Sequence, residues 1–478
     1  MDFLNEIVGK INTYLTDYVL LFLLVGIGLF FTIRTRFVQV RCFGEGMKQV
    51  FGNIKLKGGK NGGGLSSFQA LATAIAAQVG TGNIVGACGA ILIGGPGAIF
   101  WMWIIAFFGM ATIYAEATLA QQTRETDAEG NIHGGPVYYI KRAFRGKFGK
   151  FLAGFFAVAV IIALGFIGSM VQSNSIAESI SSITGTTSYN WIVGIVVVLL
   201  AGFIFIGGIK RIASVTEKMV PFMAILYLLG SLFVIAVNIT NLPAAFGMIF
   251  KYAFMPQAII GGGIGYALKE AISQGAKRGL FSNEAGMGST PHAHAMADVE
   301  KPHDQGVAAM IGVFIDTFVV LTMTALVVII SLYCGDGPLV DGHQAGEVMN
   351  GLTIAKTNMA QLSFGKAFAV IFGEAGYTIG NVFVAVCLFF FAFSTIIGWN
   401  FFGKVNIEYL FGKKGVIVYS VIALVFIFLG TLTSNDLVWE LTDFVNYLMV
   451  LPNALALIAL SGMVVESARL KKKNNPLA

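Results

Sequence analysis

Four residues, Gly80-Thr81-Gly82-Asn83, stand inside an apolar run, AAQVGTGNIVGACGAILIGGPG over residues 76–97, where bare polar groups are least at home. Glycine in a helix interior costs about 1 kcal/mol against alanine, and an unpaired amide in hydrocarbon costs several kcal/mol. A helix broken at Gly80 and Gly82 therefore persists only where its freed main chain lines a polar cavity or meets a ligand. The second half-helix, starting near Gly82, aims its N-terminal amides inward and suits a carboxylate. The first half, ending near Val79, leaves carbonyls for a small cation. Thr81 and Asn83 add side-chain oxygens. Helix packing is the rival reading, because Gly82-x-x-x-Gly86 also permits close approach, but packing needs no asparagine.

A second interruption lies in KRGLFSNEAGMGSTPHAHA, residues 277–295, where Gly279, Gly286 and Gly288 surround Ser282, Asn283 and Glu284. Asn83 and Asn283 are each placed either to touch a ligand or to orient a break. Glu116 and Asp316 sit in otherwise apolar stretches, where a functional role is the default; both are expected near the inner ends of their helices as gate or structural groups. Lys277 and Arg278 line a vestibule or form a gate with Asp436, Glu440 or Asp443. His292, His294 and His303 lack the converging spacing of a zinc motif and are expected in a solvated inner loop. Cys42, Cys88, Cys334 and Cys387 show no CxxC spacing and indicate neither a disulfide framework nor a zinc site.

The elements that must hold these residues are membrane helices. Only 12% of the 478 residues are charged and 56% are hydrophobic, against about 25% charged in a soluble domain. Mean hydropathy is +0.78. Eleven apolar runs occur, near residues 16–33, 65–93, 97–119, 151–179, 190–207, 217–238, 258–287, 306–333, 380–402, 415–431 and 436–465. With the N-terminus outside, the inner segments carry 24 Lys and Arg and the outer ones 4, which is the positive-inside pattern and puts the C-terminus in the cytoplasm. The net charge of +6 thus follows topology and does not mark a nucleic-acid partner. The charge order around the first run is the reverse of a signal peptide's.

The domain reading follows: an N-terminal helix and a basic amphipathic segment (residues 37–56) within 1–64, a first five-helix repeat over 65–238, a second over 239–465, and a basic tail at 466–478. Residues 335–378 form the longest outer connection, a candidate lid with one helical stretch expected around 346–362. Two interruptions five helices apart, in matching positions of two halves, are what an inverted-repeat transporter predicts.

The phrases QVGTGNIVG, FWMWIIAFFGMATIYAEA, RGLFSNEAGMGS and FSTIIGWNFFG resemble the alanine or glycine:cation symporter family, and Val79-Gly80-Thr81-Gly82-Asn83 is similar to the broken first helix of the LeuT-type fold that this family shares. The resemblance implies an all-α polytopic protein of eleven transmembrane helices, one extra N-terminal helix preceding a 5+5 inverted-repeat core with discontinuous core helices one and six. It implies cation-coupled uptake of a small neutral amino acid across a prokaryotic cell membrane. The implied substrate residues are Thr81, Gly82, Asn83, Gln172, Phe281, Ser282, Ile396 and Trp399, with Phe281, Ile396 and Trp399 walling a pocket sized for alanine or glycine. Ser394 and Thr395, with carbonyls of Ala76, Val79 and Phe391, are the implied sodium ligands; a site without a carboxylate favours sodium over calcium.

Other function classes fit less well. A channel needs repeated polar rings, an intramembrane enzyme needs a nucleophile, base or metal cluster, and an ATP-driven pump needs a GxxxxGK[ST] loop. The sequence presents none of these. No cofactor is expected beyond sodium as co-transported ion; the lipid bilayer is the partner. Glutamine or serine as substrate, and a proton as coupling ion, stay open at this stage.

Overall fold

The computed structural model describes residues 21–52, 64–255, 264–341, 347–349 and 351–470. The expectations for residues 1–20, for the end of the amphipathic segment at 53–56, for 258–263, for 342–346 and 350 of the lid and for the tail beyond 470 lie outside the described residues.

The chain is helical almost throughout. α1 (Leu21–Arg34) leads, through a short turn of helix at Val38–Arg41, to α2 (Phe43–Phe51). α3 (Ser67–Gln78) and α4 (Gly82–Gly94) form one span bent by 47° at its break. α5 (Ala98–Thr123), the short α6 (Pro136–Ala143), α7 (Gly146–Thr184), α8 (Asn190–Ile206) and α9 (Gly208–Val237) follow. α10 (Leu242–Phe254) precedes α11 (Ile264–Asn283), which breaks before α12 (Pro291–Ala295). The last third contains α13 (Pro302–Tyr333), α14 (Met359–Phe372), α15 (Ala375–Phe411), α16 (Gly415–Leu432), α17 (Asn435–Ala459) and α18 (Ser461–Leu470). Among the described residues, seven helices are long and apolar enough to cross a membrane, and eight with the bent pair; α1 and α8 are apolar but shorter.

Local chemistry sets the element ends. Ser66 and Gln69 form a reciprocal capping box that starts α3. Pro136, Pro291 and Pro302 each open a helix, where the missing N–H is no loss. α7 stops at Gly185, which takes φ 69° so that its N–H can reach Ser181 O at 2.8 Å.

Packing then places the broken helices at the centre. α11 and α13 lie along α5, whereas α3 lies against α9 and α15. Large apolar side chains point outward instead: Leu199, Phe203 and Ile206 of α8 are 67%, 68% and 87% exposed, as a lipid-facing surface requires. The lid differs from expectation. Residues 348–349 and 352–353 pair as an antiparallel hairpin, and the helix begins only at Met359, because Gly351 turns the chain at φ 75° where a helix was expected. Likewise, the run at 436–465 is two helices, separated at Leu460.

α14 and α15 touch main chain to main chain. A Cβ added at Gly380 would lie 2.4 Å from Gly365 N, whereas one at Gly26 would meet nothing within 4 Å. Gly380→Ala is expected to lower stability by about 1–3 kcal/mol, seen as an earlier thermal unfolding in detergent, with Gly26→Ala unchanged. Equal midpoints for the two variants would show that this contact can relax.

Candidate functional site

The first break is built from its own side chains. α3 ends at Gln78, Val79 takes the non-helical angles φ −79°, ψ 89°, and α4 opens with a widened turn over Gly82–Gly86. Asn83 bends back so that Gly80 N–H donates to its Oδ1 at 2.9 Å, while its Nδ2 donates to Asp316 Oδ1 at 2.6 Å and Asp316 O at 3.1 Å. Both ends of the amide are thus committed to shaping the break, so Asn83 orients the main chain and is not free to hold a substrate.

The second break falls at residues 284–290, later than the sequence suggested: Gly279, Phe281 and Ser282 are still helical, in the last turns of α11. Glu284 takes φ 57°, with Gly286 and Gly288 at 88° and 78°. A left-handed glutamate is strained, and its carboxylate is held on both sides, by Trp399 Nε1 at 2.5 Å and by Ser289 Oγ. Glu116 Oε2 and Oε1 accept the Gly286 and Gly288 N–H groups at 3.0 and 2.9 Å, and Asn453 Nδ2 donates to the same carboxylate at 2.6 Å. Glu116 and Asp316 are therefore not at water-accessible helix ends. Both are fully buried: main-chain amides of the second break and Asn453 supply donors to Glu116, and the side chains of Asn83, Ser282 and Thr317 supply them to Asp316.

The two breaks meet. Gln78 Nε2 donates to Asn283 O at 2.7 Å, and a Cβ on Gly82 would lie 3.0 Å from the Phe281 ring and 3.1 Å from Ser282 Cα. Asp316 joins them, accepting from Asn83 of α4 at 2.6 Å and from Ser282 of α11 at 2.9 and 3.0 Å, with Thr317 adding a bond at 2.8 Å. Around this junction Gln172 Oε1 accepts the Thr81 N–H at 3.1 Å. Gln172 Nε2 and Thr81 Oγ1 are buried with no hydrogen-bond partner among the described residues, a cost of about 1–3 kcal/mol each that a zwitterion would relieve. Phe281 stands edge-on to Trp399, with centroids 5.9 Å apart, and Ile396 is buried one turn before Trp399.

On the other side of the first break, hydroxyls replace amides. Ser394 Oγ lies 3.2 Å from Ala76 O and 2.8 Å from Phe391 O; Thr395 Oγ1 lies 3.0, 3.2 and 3.2 Å from the carbonyls of Ala76, Ala77 and Phe391. Three carbonyls and two hydroxyls converge, all uncharged, and two of the carbonyls belong to the last turn of α3, where intrahelical partners run out. This donor set fits a hard monovalent cation. The Ala77 carbonyl, not named from the sequence, joins the set through Thr395; Val79, which was named, has non-helical angles.

Two further contacts lie at opposite ends of the broken helices. Arg278 and Asp443 pair through two contacts of 3.2 Å, and the guanidinium lies 4.5 Å over Trp439, itself 4.8 Å from Phe281. Asp443 is one of the acidic partners expected from the sequence. At the opposite end the start of α3 and the chain after α12 form a parallel bridge, Leu65 to Ala297, which Gln121 buttresses by donating to His294 O and Ala297 O at 2.5 and 2.9 Å. A cavity of about 470 Å³ opens beside this bridge, lined by Asp127, His133, Lys210 and Glu408. There the His133 ring and the Asn131 amides hold the Asp127 carboxyl well below the usual carboxylate range. The histidines 292, 294 and 303 are buried rather than solvated: His292 bridges Ser289 O and Asn406 at 2.6 and 2.8 Å, and His294 meets Gln305 at 2.8 Å.

A family model described as the sodium:alanine symporter family matches residues 1–475. The sodium/alanine symporter AgcS of Methanococcus maripaludis is 39% identical over 470 residues, 98% of this chain and 97% of that protein. In Bacillus subtilis, the putative sodium/proton-dependent alanine carrier protein YrbD is 40% identical over 95% of this chain and 90% of its own length. The probable sodium/glutamine symporter GlnT of the same organism is 37% identical over 96% and 89%. Among solved structures, MhsT in complex with L-phenylalanine, a LeuT-type transporter, superposes with a TM-score of 0.59 over 86% of this chain and 97% of that one at 15% identity. That likeness is one of fold.

Asp316→Asn turns one acceptor of the junction into a donor facing Asn83, Ser282 and Thr317. A loss of about 1–3 kcal/mol is expected, measured as an earlier unfolding of the purified protein. An unchanged midpoint would remove Asp316 from the junction.

Proposed function

Since the chain belongs to the sodium:alanine symporter family, we propose that it couples inward sodium movement to uptake of a small neutral amino acid, alanine or glycine, by alternating access. It is a membrane transporter and not an enzyme. The observation that carries the reading is the first break, where helix-end carbonyls meet two hydroxyls on one side and the Thr81 amide on the other is met by Gln172, whose Nε2 has no partner among the described residues. Sodium on Ala76, Ala77, Phe391, Ser394 and Thr395 fixes the angle between α3 and α4. The substrate carboxylate then replaces Gln172 Oε1 at the amides of Thr81 and Gly82, and Gln172 Nε2 gains an acceptor. The carbonyls at the end of α11, around Phe281 and Ser282, suit the amino group, and Phe281, Ile396 and Trp399 restrict the side chain.

Each sodium ion gains about 2.3 kcal/mol per 100 mV, which at about 1.4 kcal/mol per decade is roughly a forty-fold concentration of a neutral solute. Alternation opens one closure at a time, the Arg278–Asp443 pair on the outside and the Leu65–Ala297 bridge on the inside. The order of elements supports a 5+5 arrangement over 65–238 and 239–465: in each half a broken span is followed by one long helix and then a short helix, α6 or α14, before the third span, with α10 standing ahead of the broken span in the second half. Counting α1, α8 and the broken α11–α12 with the eight spans would make eleven, an odd number consistent with the proposed outer N-terminus and inner C-terminus, which rests on the Lys and Arg bias. A proton as coupling ion is the second reading, favoured by Asp316, a fully buried carboxylate bridging both breaks.

Labelled alanine uptake into vesicles with an inward sodium gradient decides between these. Sodium-driven accumulation is expected, with none for potassium or for a pH gradient alone; equal uptake without any cation gradient would remove symport. Ser394→Ala with Thr395→Ala is expected to raise the sodium concentration for half-maximal uptake at least about tenfold, one lost ligand contact being about 1.4 kcal/mol. Gln172→Ala should slow alanine uptake at saturating sodium, with membrane insertion intact in both variants.

A further inference from the structure

Away from the transport site, three side chains with metal-binding chemistry converge. Cys42 caps the start of α2 and Glu45 follows in its first turn, so that the Cys-x-x-Glu spacing sets both on one face of the helix. His303 lies 258 residues later in the first turn of α13. One ligand atom from each, the thiol sulfur, a carboxylate oxygen and an imidazole nitrogen, lies within 4.8 Å of the other two. The sequence gives no sign of this, because the residues fall in no zinc spacing; only the fold brings them together.

The imidazole is oriented as a ligand would be. Its Nδ1 meets the Tyr114 hydroxyl of α5 at 2.7 Å, which leaves Nε2 facing Glu45 Oε2 at 3.4 Å. Metal-bound histidines have their second nitrogen held in this way. Tetrahedral bonds of 2.0–2.3 Å set neighbouring ligand atoms about 3.3–3.8 Å apart, so the His303–Glu45 spacing already matches an edge of the coordination shell. Cys42 and His303 are buried, and Glu45 is partly exposed, giving a route of entry. The nearby Arg41 guanidinium is turned toward Thr35 O at 3.2 Å.

We propose that Cys42, Glu45 and His303 form a binding site for a borderline-soft divalent cation such as zinc. Thiolate, imidazole and carboxylate together select that class over magnesium or calcium, which prefer oxygen alone. Binding releases the Cys42 thiol proton to solvent and leaves a fourth position for water. The ion ties α2 to the head of α13, the helix that carries Asp316 to the two breaks. α2 is seated closely already: a Cβ on Gly46 would lie 2.7 Å from Val307 O.

The test uses the purified full-length protein, stripped with a chelator and titrated with zinc chloride. One zinc per chain is expected, with an upward shift in thermal midpoint that the chelator reverses. Cobalt(II) in its place should give a thiolate charge-transfer band that Cys42→Ser abolishes. Tyr114→Phe, which keeps every ligand, is expected to weaken zinc binding about 10–100-fold, and His133→Ala, at the other imidazole–carboxylate pair, should leave it unchanged. Less than one zinc retained by the wild type at micromolar zinc, or one zinc retained by Cys42→Ser with His303→Ala, would overturn the site. Neither result bears on sodium-coupled uptake.

Discussion

A helix interrupted within a membrane leaves main-chain donors and acceptors where no water can satisfy them. Everything at the centre of this protein follows from meeting that constraint twice, in two helices placed against each other. At the first break the Asn83 side chain takes the Gly80 amide and Gln172 takes that of Thr81. At the second, Glu116 takes two glycine amides and Asn453 completes the shell. Asp316 then locks one break to the other through Asn83 and Ser282. Gln172 Nε2 and Thr81 Oγ1 are not met among the described residues, and they are where the proposed cargo would bind.

The same arrangement joins cation to substrate. α3 ends in carbonyls beside Ser394 and Thr395, and α4 begins in amides beside Gln172, with Gly80 between them. A Cβ at Gly80 would fall 2.2 Å from Thr395 Oγ1 and 3.2 Å from Gln172 Oε1, so one hydrogen atom separates the two halves of the site. A cation that draws in the α3 carbonyls therefore acts directly on the amides one residue away. Trp399 extends the linkage to the second break through Glu284.

How legible this was in the sequence depends on distance along the chain. The first break was readable within a residue, because Gly80 and Gly82 carry its signal locally. The second was placed early: Gly279 looked like a breaker, but it lies within α11 and serves close packing against Met102. Glu116, Gln78 and Asn453 were not assigned to the breaks, since each acts on main chain from another helix and local pattern carries no record of that. The buried histidines misled for the same reason: the lack of a zinc spacing suggested a solvated loop, whereas Gln305 of the next helix and Asn406, far along the chain, supply their partners. A carbonyl contributes no residue type to read, so Ala76 and Phe391 were named only through the family resemblance and Ala77 was not named at all.

The central claim is that main chain at the first break grips the cargo. Hydrogen exchange of the amides over residues 79–86 tests it most directly, since a ligand held by those amides slows their exchange. The account predicts strong protection when sodium and alanine are added together, a smaller effect with sodium alone, and none with potassium and alanine. Exchange in this segment that is indifferent to sodium and alanine, in protein that still transports, would contradict it.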